Sequence, residues 1–228
     1  MSKRLKNEDL EQDLLIEYSS RFVHFYNQNK AAVLGGGIGI ILVIGLTIGY
    51  FMYSSQQESQ AQNLLGIAEQ ALFQGDYETA LYGDEDEFTI GFVQIADNYS
   101  RTEAGNLARY YAAVSEFELG NYESALSYIE RFNKPRGIMG VSPATFHATV
   151  LLELNRYEEA ASMFERAANW DENNATTPSN LYEAAQAYHE AGLNQDANRV
   201  LDQLLQDYPN SQVASRAQRL KGSLAVRG

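Results

Sequence analysis

The side chains that could do chemistry are few and scattered. His24, His147 and His189 stand far apart, and no His-Glu-x-x-His pair offers to hold zinc. There is no Gly-x-Ser-x-Gly elbow to expose a nucleophile, and no phosphate loop closing on Gly-Lys-Ser or Gly-Lys-Thr. Gly35-Gly36-Gly37-Ile38-Gly39 lies inside an apolar run rather than after a strand, so it is not read as a nucleotide loop. Asp84-Glu85-Asp86-Glu87 would attract calcium, but Phe88 and Thr89 stand where an EF-hand loop needs a further ligand and its glycine. A solvated acidic loop is expected there. Asn98-Tyr99-Ser100 and Asn174-Ala175-Thr176 match the glycosylation acceptor pattern, which arises often by chance. The chain has no cysteine, so disulfides and a lipid-modified N-terminal cysteine are excluded. We therefore expect no enzyme, with no catalytic residue, cofactor or metal, and look for a binding function.

Residue spacing carries the strongest signal in the chain. Ala80, Ala125, Ala160 and Ala197 are each preceded five residues earlier by Gly75, Gly120, Asn155 and Gly192, and twelve residues earlier by Ala68, Ala113, Ala148 and Ala185. Gly or Asn reaches a left-handed backbone cheaply and ends one helix, while small residues on both helices let their axes cross closely. The unit is helix, tight turn, helix, and its phase advances by 45, 35 and 37 residues. Tyr77, Tyr122 and Tyr157 open the second helix in three of the four copies.

This pattern resembles the tetratricopeptide repeat, over roughly Glu58 to Arg227. Tyr208-Pro209-Asn210-Ser211 is similar to that family's usual exit, with proline stopping one helix and Ser211 starting another. Departures are Glu116 where an aromatic is usual, Asn155 for the turn glycine, Asn194 for tyrosine, and about eleven extra residues in the first repeat. Within that insertion, near 82–99, Phe88, Phe92, Ile95 and Tyr99 keep one helical face apolar and predict an added helix packing back on the array. Val213, Ala214, Ala217, Leu220 and Leu224 against Arg216, Arg219 and Lys221 predict a capping helix over 211–226. The expected fold is all-α: a single transmembrane helix, then a solenoid of about four repeats with this cap.

From Ala31 to Tyr53 no residue is charged, and twenty-three residues exceed what a hydrocarbon core of about 30 Å requires. Lys3, Arg4, Lys6, Arg21 and Lys30 precede this segment, and no Lys or Arg follows it until Arg101, so the positive-inside rule keeps the N-terminus cytoplasmic. Phe22, Phe25, Tyr26, Tyr50, Phe51 and Tyr53 fit interfacial belts. The expected domains are a cytoplasmic leader over 1–30, a signal anchor over 31–53 and the repeat domain over 54–228. Leu10, Leu14, Tyr18, Phe22 and Phe25 make the leader an amphipathic helix. Gly35 with Gly39, and Gly45 with Gly49, permit close helix packing, so a homodimer through the anchor is among the expected assemblies. The net charge of −13 lies wholly beyond the leader, which holds five residues of each sign, and disfavours nucleic acid as a partner.

Leader, anchor and acidic repeats together resemble the YfgM-like family of bacterial inner-membrane proteins. Ala80-Leu81-Tyr82-Gly83-Asp84, Gly91-Phe92 and Thr102-Glu103-Ala104-Gly105-Asn106-Leu107-Ala108 add to that likeness. It implies a periplasmic interaction scaffold ancillary to the Sec translocon, with translocon subunits, periplasmic chaperones or exported clients as partners. The alternative is an assembly factor in envelope or outer-membrane biogenesis. In the tetratricopeptide fold the first helix of each repeat lines a concave surface. The repeat phase places Leu65, Glu69, Leu72, Tyr110, Val114, Phe117, Thr149, Leu152, Tyr182, Gln186 and His189 there. With no Lys or Arg in this set, a carboxylate clamp is not expected, and the lining suits an apolar or amphipathic segment.

Overall fold

The computed structural model describes residues 7–84, Asp86 and residues 89–227, with side chains described for residues 16–225 apart from that gap. Lys3, Arg4, Lys6, Glu85, Glu87 and Phe88, and the side chains of Leu10, Leu14 and Val226, fall outside it. The described residues form two compact units that divide between Gln56 and Gln57.

In the first unit, helix α1 spans Asn7–Gln28 and leaves Tyr18, Phe22 and Phe25 exposed. Helix α2 runs Lys30–Gln74, and its N-terminal part is long and apolar enough to cross a membrane. Leu34, Ile41, Leu46 and Phe51 on that part are each more than half exposed.

The second unit takes the end of α2 and is helical among its described residues. It continues with α3 (Tyr77–Tyr82), α4 (Phe92–Asn98), α5 (Glu103–Glu118), α6 (Tyr122–Arg131), α7 (Val141–Glu153), α8 (Tyr157–Ala168), α9 (Thr177–Glu190), α10 (Asn194–Asp207) and α11 (Ala214–Arg227). Four turns join helix pairs, and all four have one hydrogen-bond pattern. Gly75, Gly120, Asn155 and Gly192 have φ of 79°, 80°, 57° and 77°. The amide after each reaches five residues back, as in Asp76 N–H to Ala71 O at 2.9 Å and Leu193 N–H to Tyr188 O at 2.8 Å. The turn residue itself bonds three back, as in Gly120 N–H to Phe117 O at 2.9 Å. These are Schellman turns, which satisfy the carbonyls that a helix end would orphan. All eight repeat alanines are buried, at most 4% exposed, so each marks a helix crossing too close for a larger side chain.

The first repeat is built differently from the rest. Gly83, with φ 82°, stops α3 after six residues. A Cβ there would lie 2.3 Å from Thr89 O. The chain resumes as α4, the inserted helix, which packs on α5 through fully buried Phe92 and Ile95. Glu58 near the second unit's start accepts from the Glu103 and Ala104 amides at 2.7 and 3.1 Å. Thr102 Oγ1 accepts from Gly105 N–H at 2.9 Å. The positive end of α5 is thus capped from two sides. At the other end α11 starts at Ala214 rather than Ser211, because Tyr208 to Ser211 fold into a turn closed by Ser211 N–H to Tyr208 O at 3.1 Å. Val213, Ala217 and Leu224 close the core.

Candidate partner-binding groove

A cavity of about 630 Å³ opens between α5, α7 and the start of α9. Tyr110 forms one wall, Val141, Ser142, Thr145, Phe146 and Thr149 the floor, and Ala175, Thr176, Ser179 and Asn180 the far wall, with Ile138 at the rim. None of these residues is charged, in a chain where 21% are. Thr145 Oγ1 donates to Asn180 Oδ1 at 2.8 Å, and Asn180 Nδ2 donates to Thr176 O at 3.2 Å, so the buried amide ties α7 to α9. Tyr110 hydrogen-bonds Ser142 across the gap; burial raises its hydroxyl pKa, and that bond only partly offsets the rise.

A chain of aromatic rings passes through Tyr110 and Phe146 of the lining. Phe92 meets Tyr111 at 5.3 Å between centroids, Tyr111 meets Tyr110 at 5.9 Å, and Tyr110 meets Phe132 at 5.3 Å and Phe146 at 5.8 Å. Phe146 meets Phe117 at 5.4 Å and Phe117 meets Tyr122 at 5.3 Å. Such tilted and edge-on pairs are each worth about 0.5–1.5 kcal/mol beyond their burial, and two of the rings, Tyr110 and Phe146, line the cavity itself.

The residues expected on the concave face do not share one surface. Tyr110 and Thr149 line the cavity, and Phe117 joins its aromatic border. Val114 is half-buried, and Leu152 packs on the larger core. Leu65 is 6% exposed and belongs to the N-terminal core, where Leu72 packs against it. Glu69 bonds the Tyr111 hydroxyl, which burial first and that carboxylate second push up to about 12. Tyr182 is 9% exposed, with the Arg216 guanidinium of α11 4.8 Å from its ring centroid, so the capping helix covers it. Gln186 is exposed, and His189 Nδ1 pairs with Asn194 Oδ1 at 2.8 Å. Leu65 and Tyr182 are thus packing residues rather than groove lining.

Val141, Ser142, Thr145 and Phe146 were legible by helical spacing, lying eight, seven, four and three residues before Thr149 on one face. Ile138 carries no such signal, being in a turn ahead of the helix. Among the described residues no group of three His, Cys, Asp or Glu side chains could hold a metal ion.

Residues 151–224 match the tetratricopeptide repeat family. The fold extends that likeness over most of the chain. A Podosopora anserina protein of nearly identical TPR-like repeats superposes with TM-score 0.54 at 15% identity, over 73% of this chain and 89% of that one. The MamA RS-1 ArsTM double mutant superposes with TM-score 0.52 at 15% identity, over 73% and 84%. No curated protein matches the sequence significantly. The chain therefore contains a tetratricopeptide-like solenoid, an architecture that serves typically as a non-enzymatic scaffold for protein partners.

Proposed function

We propose that this protein is a membrane-anchored interaction scaffold whose repeats face the periplasm, ancillary to the Sec translocon and to the chaperoning of exported proteins. The observation that carries the binding role is the charge-free, aromatic-bordered groove, which fits an apolar or amphipathic segment of a partner chain. Anchoring draws its support from the uncharged run from Ala31 to Tyr53 within α2, and orientation from five basic residues before it against none directly after. The family resemblance of the leader, anchor and acidic repeats supplies the link to export.

Two experiments test this. Protease added to intact spheroplasts should digest the repeat domain and spare the leader; protected repeats would overturn the topology. Co-purification from detergent-solubilised membranes should bring translocon subunits with the full chain. Recovery of outer-membrane assembly or cell-wall components instead would replace the export role by one in envelope biogenesis.

A further inference from the structure

One border of the groove is not a helix. Between α6 and α7 the chain passes from Asn133 through the 3-10 turn Ile138–Gly140, and Ile138 lines the groove while Met139 beside it is 72% exposed. Three contacts pin this segment. Asn133 N–H donates to Asn106 Oδ1 at 2.8 Å, and Asn106 Nδ2 donates to Asn133 O at 3.0 Å. Trp170 Nε1 donates to Pro135 O at 3.0 Å, and Gly140 approaches both so closely that a Cβ would stand 2.1 Å from each atom. Between these pins, Lys134 Nζ donates to Ile129 O at 3.4 Å in the last turn of α6 and stands 3.5 Å from His147 Nδ1 on α7.

The His147 half of that third pin needs a neutral imidazole, because an ammonium has only donors and an unprotonated Nδ1 alone can accept from it. His147 is 7% exposed, yet it lines a second cavity of about 470 Å³ with Glu130 of α6 and Glu158, Glu159 and Arg166 of α8. Those four residues are exposed, so the cavity gives protons a path from solvent. Cations facing His147 are Lys134 from the segment, Arg166 from α8 and Arg156 at the start of α8. The acids are Glu130, Glu158 and Glu159, and Glu159 is already paired with Arg156.

We propose that His147 is a proton latch: protonation unseats Lys134 and removes one of the three pins, so the population in which the segment from Asn133 to Gly140 is released and Ile138 leaves the groove border grows in acid. Burial first, and then Lys134, Arg166 and Arg156, hold the imidazole down to about 4 in the latched state. A released, solvated imidazole titrates near 6.5. Between those values the released state binds more protons than the latched one. Release therefore grows as pH falls through about 6.5 and levels off near 4. At pH 5.5 the population of the released state rises up to about tenfold over pH 7.5.

The latch acts on the groove of the proposed function, but its test reads the segment alone. Amide exchange over residues 134–140 in the full chain in detergent, corrected for intrinsic rates, is compared at pH 7.5 and 5.5. Acrylamide quenching of Trp170, the single tryptophan, follows the same event. Opening should rise about tenfold in the wild type and stay flat in His147→Gln, while amides of α9 and α10 keep their protection. An equal rise in His147→Gln, or none in the wild type, overturns the proposal. Should that variant fail to fold, Lys134→Met serves, since removing the ammonium removes both seat and repulsion; an undiminished rise there also overturns it. Either failure leaves the groove standing, because no partner enters the measurement.

Discussion

Replacing Phe92 by alanine should cost the repeat domain about 3–5 kcal/mol, although this helix belongs to no regular repeat. The ring is fully buried, packs with Ile95, Leu81 and Ala108 in the N-terminal core, and meets Tyr111 at 5.3 Å. Its removal loses the transfer free energy of the ring, leaves a cavity that short α3 and α4 close only in part, and ends the aromatic contact. For an array of roughly 170 residues, unfolding entropy is about 0.36 kcal/mol/K, so a loss of about 4 kcal/mol lowers Tm by about 11 °C. Phe73→Ala is the matched control, because that ring is 79% exposed and its loss should stay within about 0.5 kcal/mol. Thermal unfolding of the full chain in detergent, followed by circular dichroism, compares the two. A Tm shift for Phe92→Ala under about 4 °C, or equal to that of Phe73→Ala, would refute the packing of the inserted helix.

Three further outcomes follow from particular contacts. Gly120→Ala places a Cβ on a backbone at φ 80° and should destabilise by about 1 kcal/mol or more, whereas Gly222→Ala inside α11, with nothing within 4 Å, should be neutral or stabilising in denaturant unfolding. Gly140→Ala forces Trp170 off the Pro135 carbonyl and should shift tryptophan emission at neutral pH; an unchanged spectrum would contradict the close approach. Burial opposes the charge of Glu165, but hydrogen bonds from Arg199 at 2.8 and 2.9 Å and from the Tyr188 hydroxyl at 2.7 Å outweigh it and hold the carboxyl below its ordinary range. A carboxyl depressed on folding contributes stability that is present above its unfolded pKa and is lost as pH falls through the folded one. Glu165→Gln should therefore cost about 1–2 kcal/mol at pH 7, discounted for the half-exposed Arg199, and the difference from wild type should shrink in acid. A gap that stays constant down to pH 3 would show that the ion is not what matters there.

The repeats were legible because their signals are local. A residue that must reach positive φ is set within one turn, and an alanine at a close crossing by the neighbouring helix of the same hairpin, so Gly75, Asn155 and the eight alanines read true. What depended on distant parts of the chain did not. Leu65 and Tyr182 have the right helical phase for the concave face, but Leu65 is buried in the N-terminal core and Arg216 lies over Tyr182. The broken second helix of the first repeat follows from Gly83 meeting Thr89 and Ile90, a contact that only the folded insertion creates. Ile138 entered the groove by way of Lys134 and Trp170, residues that no periodicity connects.

Photo-crosslinking in intact cells asks whether the uncharged groove holds partner chains. A photoreactive side chain is placed at Ser142 or Ser179, both exposed groove residues, and at Ser127, an exposed residue of α6 outside it. Defined adducts with translocon subunits or exported chains are expected from Ser142 and Ser179, should disappear when Tyr110 and Phe146 are both replaced by alanine, and should be absent from Ser127. Adducts from Ser127 alone, or adducts from the groove positions that survive the double replacement, would contradict it.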